Sequence, residues 1–200
     1  MSEQIQDLSR RDLLRVTLTT FGVSVVSAEA AQHVHQAVAE VKKTGPYNPQ
    51  FFNTQEYRTV SKLADLIIPA DEHSPGALAG GAPEFIDFLC SQSPDLAAIY
   101  TGGLAWLDHE MNKRYGANFP AAKPEQQTAM LDLIAYRKNN SPELGPGIQF
   151  FVWARNMTVD AFYTSKAGMD DLGYMGNSAM SEFHVPAEAI DYAVKRSGLS

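Results

Sequence analysis

The chain contains a single cysteine, Cys90, among its 200 residues. One cysteine excludes an internal disulfide and any structural zinc or iron–sulfur site that is built from several cysteines. The sequence also lacks an apolar run of the roughly 20 residues that a membrane-spanning helix needs. Basic residues are few, since 16 Lys and Arg stand against 23 Asp and Glu, which gives a net charge of −7. This balance argues against a nucleic-acid-binding protein, which needs a concentrated basic surface.

Recognisable catalytic motifs are missing as well. No G-x-G-x-x-G follows a strand, no G-x-S-x-G occurs, and none of the five histidines belongs to an H-E-x-x-H or E-x-x-H pair. The loop sequence Asp71-Glu72-His73 could bind a cation, although a solvated polar loop is the simpler interpretation. We expect His33 and His35 to lie in a solvated N-terminal tail. The residues therefore indicate no catalytic, cofactor or metal site in this chain.

The N-terminus has the organisation of an export signal. Paired arginines precede an uncharged, weakly apolar run over residues 16–26, and small residues follow it. The pair is typical of the twin-arginine route, which transports proteins that have already folded. The alternative interpretation is an amphipathic N-terminal helix with a chance pair of arginines. The signal residues are Arg10, Arg11, Leu13 and Leu14, and the plausible cleavage ends are Ala28 and Ala30.

Apolar periodicity and helix-boundary residues predict an all-α protein with long irregular loops. Asn53 and Glu56 form a capping box at a helix start, and Pro69 ends that helix. Further predicted helix starts or ends are Pro83, Ser93, Gly116, Pro124 and Pro186. We predict a signal segment over residues 1–30, a tether over 31–52 and a compact helical domain over 53–200. Residues 69–83 and 165–185 are expected to be irregular.

Gly102 and Gly103 fall inside a predicted helix, where each glycine costs about 1 kcal/mol relative to alanine. Such a cost suggests that another element approaches the helix closely at this point.

Aromatic residues are concentrated late in the chain. Residues 150, 151 and 153 cover three sides of a helix, so that helix is either central to the core or covered by a partner. The residues after 167 are rich in glycine and methionine and could lie along another protein. Core and partner surface both remain open at this point. The candidate interface residues are Phe150, Trp153, Phe162, Tyr163, Gly173 and Tyr174.

Cys90 follows Phe88 and Leu89 on a short apolar helix. A buried thiol is the simpler interpretation of this position. An odd cysteine in an exported protein is also a candidate for an interchain disulfide.

Several of these sequences together resemble a known family. They are the twin-arginine leader, the block over residues 63–77 that reads LADLIIPADEHSPGA, and the sequences PEFID, FYTS and LGY further on. The chain resembles the gluconate 2-dehydrogenase subunit 3 family, the small subunits of membrane-bound gluconate 2-dehydrogenase and related sugar and polyol dehydrogenases. The resemblance covers roughly residues 9–180.

The resemblance implies a noncatalytic subunit of an oxidoreductase complex in the periplasm, associated with the cytoplasmic membrane. Its expected partner is a large FAD-dependent flavoprotein of the glucose–methanol–choline type that has no export signal of its own. A multihaem cytochrome c is a possible third subunit. The small subunit would escort the folded flavoprotein through the twin-arginine translocase and remain bound to it. The alternative is an independent periplasmic ligand-binding protein or enzyme that uses the loop over residues 69–83.

Overall fold

A computed structural model describes residues 27–43, 45–174 and 185–197. This part of the chain contains helices and no strands, which confirms the all-α prediction. The signal residues Arg10, Arg11, Leu13 and Leu14 lie outside the described residues. The helices are α1 (Ala28–Lys43), α2 (Thr54–Ile67), α3 (Gly76–Ala79), α4 (Ala82–Gln92), α5 (Pro94–Tyr115), α6 (Pro124–Ile134), α7 (Gly145–Tyr163), α8 (Lys166–Asp171) and α9 (Ala187–Ser197). Two 3-10 turns lie at Phe119–Ala121 and Arg137–Asn139.

Local capping residues set the helix ends where the sequence predicts them. The Asn53 side chain accepts hydrogen bonds from the first turn of α2, and Glu56 reaches back to the Asn53 N–H in a complete capping box. The Ser93 hydroxyl caps α5 by accepting a bond from the Leu96 N–H. Gly116 ends α5 with a left-handed φ of 70°. These contacts connect residues that are at most four positions apart, so a sequence pattern is sufficient to find them.

The core is built around α7, which packs against α2, α4 and α5. Its side chains are apolar around most of the helix circumference, as expected of a central helix. At the crossing with α5, a Cβ atom on Gly103 would lie 2.0 Å from Cδ2 of Phe150. The predicted close approach is therefore confirmed at Gly103. Gly102, by contrast, has open space where a Cβ atom would lie.

The segment predicted to be a tether is instead a packed helix over most of its length. Helix α1 lies against α4, and Val34 and Val38 are buried in the contact. His35 is also not part of a solvated tail, because its ring lies 4.9 Å from that of Phe85. The polar composition of residues 31–43 conceals a narrow apolar stripe at three- and four-residue spacing, and that stripe is enough to bind the helix to the core.

The segment expected to be irregular after residue 165 begins with a short helix. The Ser165 hydroxyl accepts a hydrogen bond from the Gly168 N–H at 3.1 Å and so starts α8. A Cβ atom on Gly168 would lie 2.1 Å from the Phe162 carbonyl oxygen, so only glycine fits this tight connection between α7 and α8. The final helix α9 follows Pro186, as the sequence predicts.

Asp87 on α4 is completely buried and anchors the segment that joins α1 to α2. Its Oδ1 accepts hydrogen bonds from the N–H groups of Phe51 and Phe52, at 3.1 and 2.9 Å. Its Oδ2 accepts from the Gln50 N–H and the Tyr47 hydroxyl, each at 2.7 Å. Burial and the hydrogen bond to Asp87 raise the pKa of Tyr47, so its hydroxyl stays protonated as a donor. Four donors thus replace the water that a carboxylate loses on burial.

Replacing this carboxylate should destabilise the whole domain. Asp87→Asn would turn an NH2 group toward backbone N–H donors, so we expect the free energy of unfolding to fall by about 3 kcal/mol. Tyr47→Phe removes one donor and leaves the carboxylate with three, so its loss should be closer to about 1 kcal/mol. Urea unfolding followed by circular dichroism measures both losses. Equal, small effects would show that the Asp87 contacts contribute little.

The two neighbouring glycines provide a matched test of the α5–α7 crossing. Gly103→Ala should lower the free energy of unfolding by about 1–3 kcal/mol, because Phe150 occupies the space of the new methyl group. Gly102→Ala should raise it by up to about 1 kcal/mol, because alanine favours the helix and meets no neighbour there. Urea unfolding of both variants measures the difference. The packing would be contradicted if both substitutions changed stability in the same direction.

Candidate interaction surface

The loop over residues 69–83 is held together by its own hydrogen bonds. The Asp71 carboxylate accepts from the N–H groups of His73 and Ser74, and these two bonds lower its pKa. The Ala77 N–H donates to the Ile68 carbonyl, which closes the loop onto the end of α2. The expected irregular segment contains one short helix, α3. Asp71 therefore acts as the local turn residue that its position suggests.

Other titratable groups that the sequence brings into consideration have structural partners. Glu110 is buried and its carboxylate binds Arg114 at 2.9 Å. The neighbouring Asp108 accepts hydrogen bonds from the Gln55 side chain and the Phe119 N–H. Across residues 27–43, 45–174 and 185–197, no group of three or more His, Cys, Asp or Glu side chains is arranged to hold a metal ion. The same residues include no helix with the length and hydrophobicity required to cross a bilayer.

Cys90 lies in the core with 2% of its surface exposed. Burial, with a smaller contribution from the charge of Asp87, raises the pKa of its thiol. A thiol in this position cannot reach a second chain while the domain is folded. The structure thus corrects the interchain-disulfide candidate and favours the buried-thiol interpretation.

The six aromatic and glycine candidates divide into two groups. Phe150 and Phe162 are 3% and 0% exposed, so they belong to the core. The prediction that they are interface residues is therefore wrong. The other four are accessible: Trp153 is half-buried, and Tyr163, Gly173 and Tyr174 are exposed. The sequence cannot separate these groups, because which side of α7 faces inward depends on where α4 and α5 pack.

One side of α7 remains uncovered in the described structure. Val152 and Trp153 are half-buried there, and Val159 and Tyr163 are 37% exposed. Val152, Val159 and Tyr163 follow one another at helical spacing along one side of α7, and the polar residues at positions 155 and 156 lie between them. Trp153 lies at the edge of this side, next to α5. An uncovered side that carries valine, tyrosine and tryptophan among polar residues, on a helix that is otherwise enclosed, indicates an interaction surface. We call it the α7 open face.

The α7 open face continues into a groove between α5 and α7. This groove has a volume of about 340 Å³. Trp106 forms one wall, where its indole packs on Gly147 and donates a hydrogen bond to the Glu143 carbonyl at 3.3 Å. Trp153 and Gln149 also line a second, adjoining groove of about 380 Å³ toward Arg137. The lining residues of the first groove are Ala98, Ile99, Gly102, Gly103, Trp106, Pro146, Gln149, Phe150 and Trp153.

Gly102 and Trp106 are functional candidates that the sequence analysis did not assign to a surface. They are four residues apart on α5, so both face the groove. Gly102 lowers the stability of the helix relative to alanine, and no contact within the described residues explains its presence, because nothing lies within 4 Å of its potential Cβ atom. A helix glycine without an internal neighbour leaves room for close approach from outside. In the sequence, the two adjacent glycines at 102 and 103 indicate a close approach to this helix, and Trp106 one turn later marks the same side of it.

Further exposed apolar residues follow α7 along the chain. Leu172 and Tyr174 are 61% and 56% exposed after α8, and Gly173 turns the backbone there with a φ of 62°. Helix α9 has no buried residue, although Ile190 and Val194 form an apolar side. The C-terminal third of the described chain therefore presents more apolar surface than the remainder.

The comparisons with known proteins agree with the surface in pointing to a subunit. No curated protein and no solved structure matches the chain. A family model described as gluconate 2-dehydrogenase subunit 3 matches residues 54–181, which include α2 to α8 and the whole α5–α7 groove. Because this match covers more than half of the sequence, the chain belongs to the gluconate 2-dehydrogenase subunit 3 family.

Proposed function

We propose that this chain is the noncatalytic small subunit of a periplasmic FAD-dependent dehydrogenase that oxidises a sugar or polyol. Its partner is a large flavoprotein of the glucose–methanol–choline type, which carries the FAD and the catalytic residues. The small subunit escorts the folded partner through the twin-arginine translocase and then stabilises it. A multihaem cytochrome c is a possible third subunit, which would accept electrons and hold the complex at the cytoplasmic membrane.

Membership of a family whose name denotes a dehydrogenase subunit is the observation that carries this proposal. The polar groups that might otherwise suggest catalysis support it, because they already serve the fold. Asp87 binds the α1–α2 connection, Glu110 binds Arg114, and Asp71 forms its own turn. The paired residues Arg10 and Arg11 support the escort role, since the twin-arginine route transports folded cargo.

The α7 open face and the α5–α7 groove are the surface to which we assign the flavoprotein. Interface centres are rich in tryptophan and tyrosine and poor in charged residues. The groove fits this composition, because Trp106 and Trp153 line it and none of its lining residues is charged, and Tyr163 is exposed further along α7. Gly102 allows a partner backbone or a large partner side chain to approach α5 closely. Arg137 at the end of the adjoining groove is suited to an acidic group on the partner.

The first test is purification of the tagged full-length chain from periplasmic and membrane extracts. The expected result is a copurifying protein that is larger than this chain and has the absorption bands of a flavin. Mass spectrometry identifies that protein and so provides the enzyme whose substrate can be sought. A colourless protein that elutes as a lone monomer would contradict the proposed subunit role.

The escort role predicts that one signal serves two proteins. Arg10→Lys combined with Arg11→Lys should retain both this chain and its flavoprotein in the cytoplasm, because the translocase recognises the arginine pair. Immunoblots and flavin-dependent dehydrogenase activity of the periplasmic fraction measure the effect. Arg15→Lys is the matched control and should export both proteins normally. Normal periplasmic activity in the double variant would exclude the escort role.

The surface assignment predicts a loss of assembly that exceeds any loss of folding. Trp153→Ala should weaken the complex with the copurified flavoprotein by about 2 kcal/mol or more, as expected when a central tryptophan is removed from an interface. Tyr174→Ala should act in the same direction and should cost the lone subunit little, because its side chain is exposed. Gel filtration and titration of the flavoprotein measure assembly, while urea unfolding measures the subunit.

Two controls separate the groove from the rest of the surface. Gly102→Leu should obstruct the groove, whereas Thr101→Leu places the same side chain on an exposed position of the same helix outside it. Leu78→Ala removes an exposed apolar side chain that lines a different groove, beside Tyr57. If Thr101→Leu or Leu78→Ala reduced assembly as much as Gly102→Leu or Trp153→Ala, the flavoprotein would bind elsewhere.

A further inference from the structure

The two candidate cleavage ends of the export signal lie in the first turn of a helix. Ala28 is the first residue of α1, and Ala30 follows it in the same turn. Ser27 precedes the helix, and its hydroxyl accepts a hydrogen bond from the Ala30 N–H at 3.3 Å. The Ser27 carbonyl accepts the first helical bond, from the Ala31 N–H at 2.9 Å. Ser27 thus acts as an N-cap, which holds the peptide bonds after Ala28 and Ala30 in helical geometry.

One side of the same turn is buried against the body of the protein, while Ser27 and Glu29 are exposed. Ala30 and Ala31, which flank one of the two candidate bonds, are 1% and 0% exposed. Val34 lies one turn further on and is 0% exposed. Helix α1 packs on α4, so these side chains contact the folded domain and not solvent. Neither side of the Ala30–Ala31 bond is therefore accessible in the docked helix.

Polar contacts further along α1 hold the helix in this position. The His35 ring packs on Phe85 of α4, and its Nε2 lies 3.0 Å from the Thr164 hydroxyl at the end of α7. Thr164 also donates to the Asp160 carbonyl, which fixes the orientation of the hydroxyl. At the other end of α1, Lys42 forms an ion pair with Glu84 of α4. Polar contacts thus bind helix α1 at its middle and near its C-terminal end, in addition to its apolar stripe.

A peptidase must bind its substrate with several residues on each side of the cleaved bond in an extended conformation. A helical, buried site is cut only through an opened state, and the rate then follows the population of that state. Opening this site would break the Ser27 cap and expose Ala30, Ala31 and the start of the apolar stripe. A subunit that crosses the translocase already folded presents the docked helix to the peptidase from the outset.

We infer that docked α1 protects both candidate bonds from signal peptidase, the bond after Ala28 by its helical geometry and the bond after Ala30 by burial as well, so that the leader remains attached to the folded subunit. The inference rests on the proposed function, because it takes residues 1–30 to be an export signal. Its consequence is a subunit that keeps its own N-terminal leader next to the membrane after export. The attached leader would then contribute to membrane association alongside the cytochrome.

The test uses the purified full-length chain and purified signal peptidase in detergent, with intact mass as the readout. The wild-type chain should remain uncut. Val34→Asp places a charge in the buried stripe and should undock α1, so that cleavage after Ala28 or Ala30 becomes about tenfold faster or more. Gln36→Asp places the same charge on the exposed side of α1 and is the matched control, expected to remain uncut. His35→Ala removes the Phe85 and Thr164 contacts and should give an intermediate rate.

The folded state of each variant is monitored through the buried Cys90, which should stay unreactive to a thiol reagent while the core is intact. Val34→Asp could unfold the domain, and in that case His35→Ala against Gln36→Asp decides the question. Cleavage of the wild-type chain at the rate of the undocked variants would overturn the inference. So would resistance of all variants, because docking would then not be the cause of protection. The assay does not involve export, so a chain that stays in the cytoplasm would contradict the proposed function alone.

Discussion

The buried carboxylate of Asp87 is the contact on which the arrangement of the helices depends. It lies on α4, and it receives its four hydrogen bonds from residues 47–52, the connection between α1 and α2. A charge with no access to water is tolerated only when donors surround it, so the connection has one permitted position on α4. The connection in turn determines where α1 ends and where α2 begins. Helix α4 therefore joins the N-terminal helix α1 to the rest of the folded domain.

Helix α7 provides the second constraint. Its sequence is too apolar for a surface helix, and α2, α4 and α5 cover most of its circumference. The glycine at position 103 allows Phe150 to pack directly against the α5 backbone, which draws the two helices together. What remains uncovered is a strip that includes Trp153 and Tyr163, next to the groove formed by Trp106. The same packing that builds the core thus leaves one side of α7 uncovered, which is the surface to which we assign the partner.

The proposed function requires one small domain both to bind a partner and to present an export signal. A subunit that carries an export signal for a partner must bind that partner firmly enough for the two to travel together. It must also keep its signal accessible to the translocase while its own N-terminal helix is folded against α4. Helix α1 is docked through Val34 and His35, and the proposed cleavage ends Ala28 and Ala30 lie in its first turn. Helix α1 and the α7 open face then belong to the same folded domain, which would suit the proposed transport in the folded state.

The sequence alone determined the class of the fold, several helix ends and the family. Asn53, Ser93 and Gly116 act on backbone groups within four residues, so their roles can be recognised without knowledge of the remainder of the chain. Only the tertiary structure decided which aromatic residues belong to the core and which to the surface. Phe150 and Trp153 are both aromatic residues of α7, and the position of α5 determines that Phe150 is buried while Trp153 stays partly exposed. The tertiary structure also shows that residues 31–43 form a packed helix and that Cys90 is buried. The sequence contains the apolar stripe of α1 and the apolar neighbours of Cys90, but which element covers them depends on contacts between residues far apart in the chain, for which local patterns contain no signal.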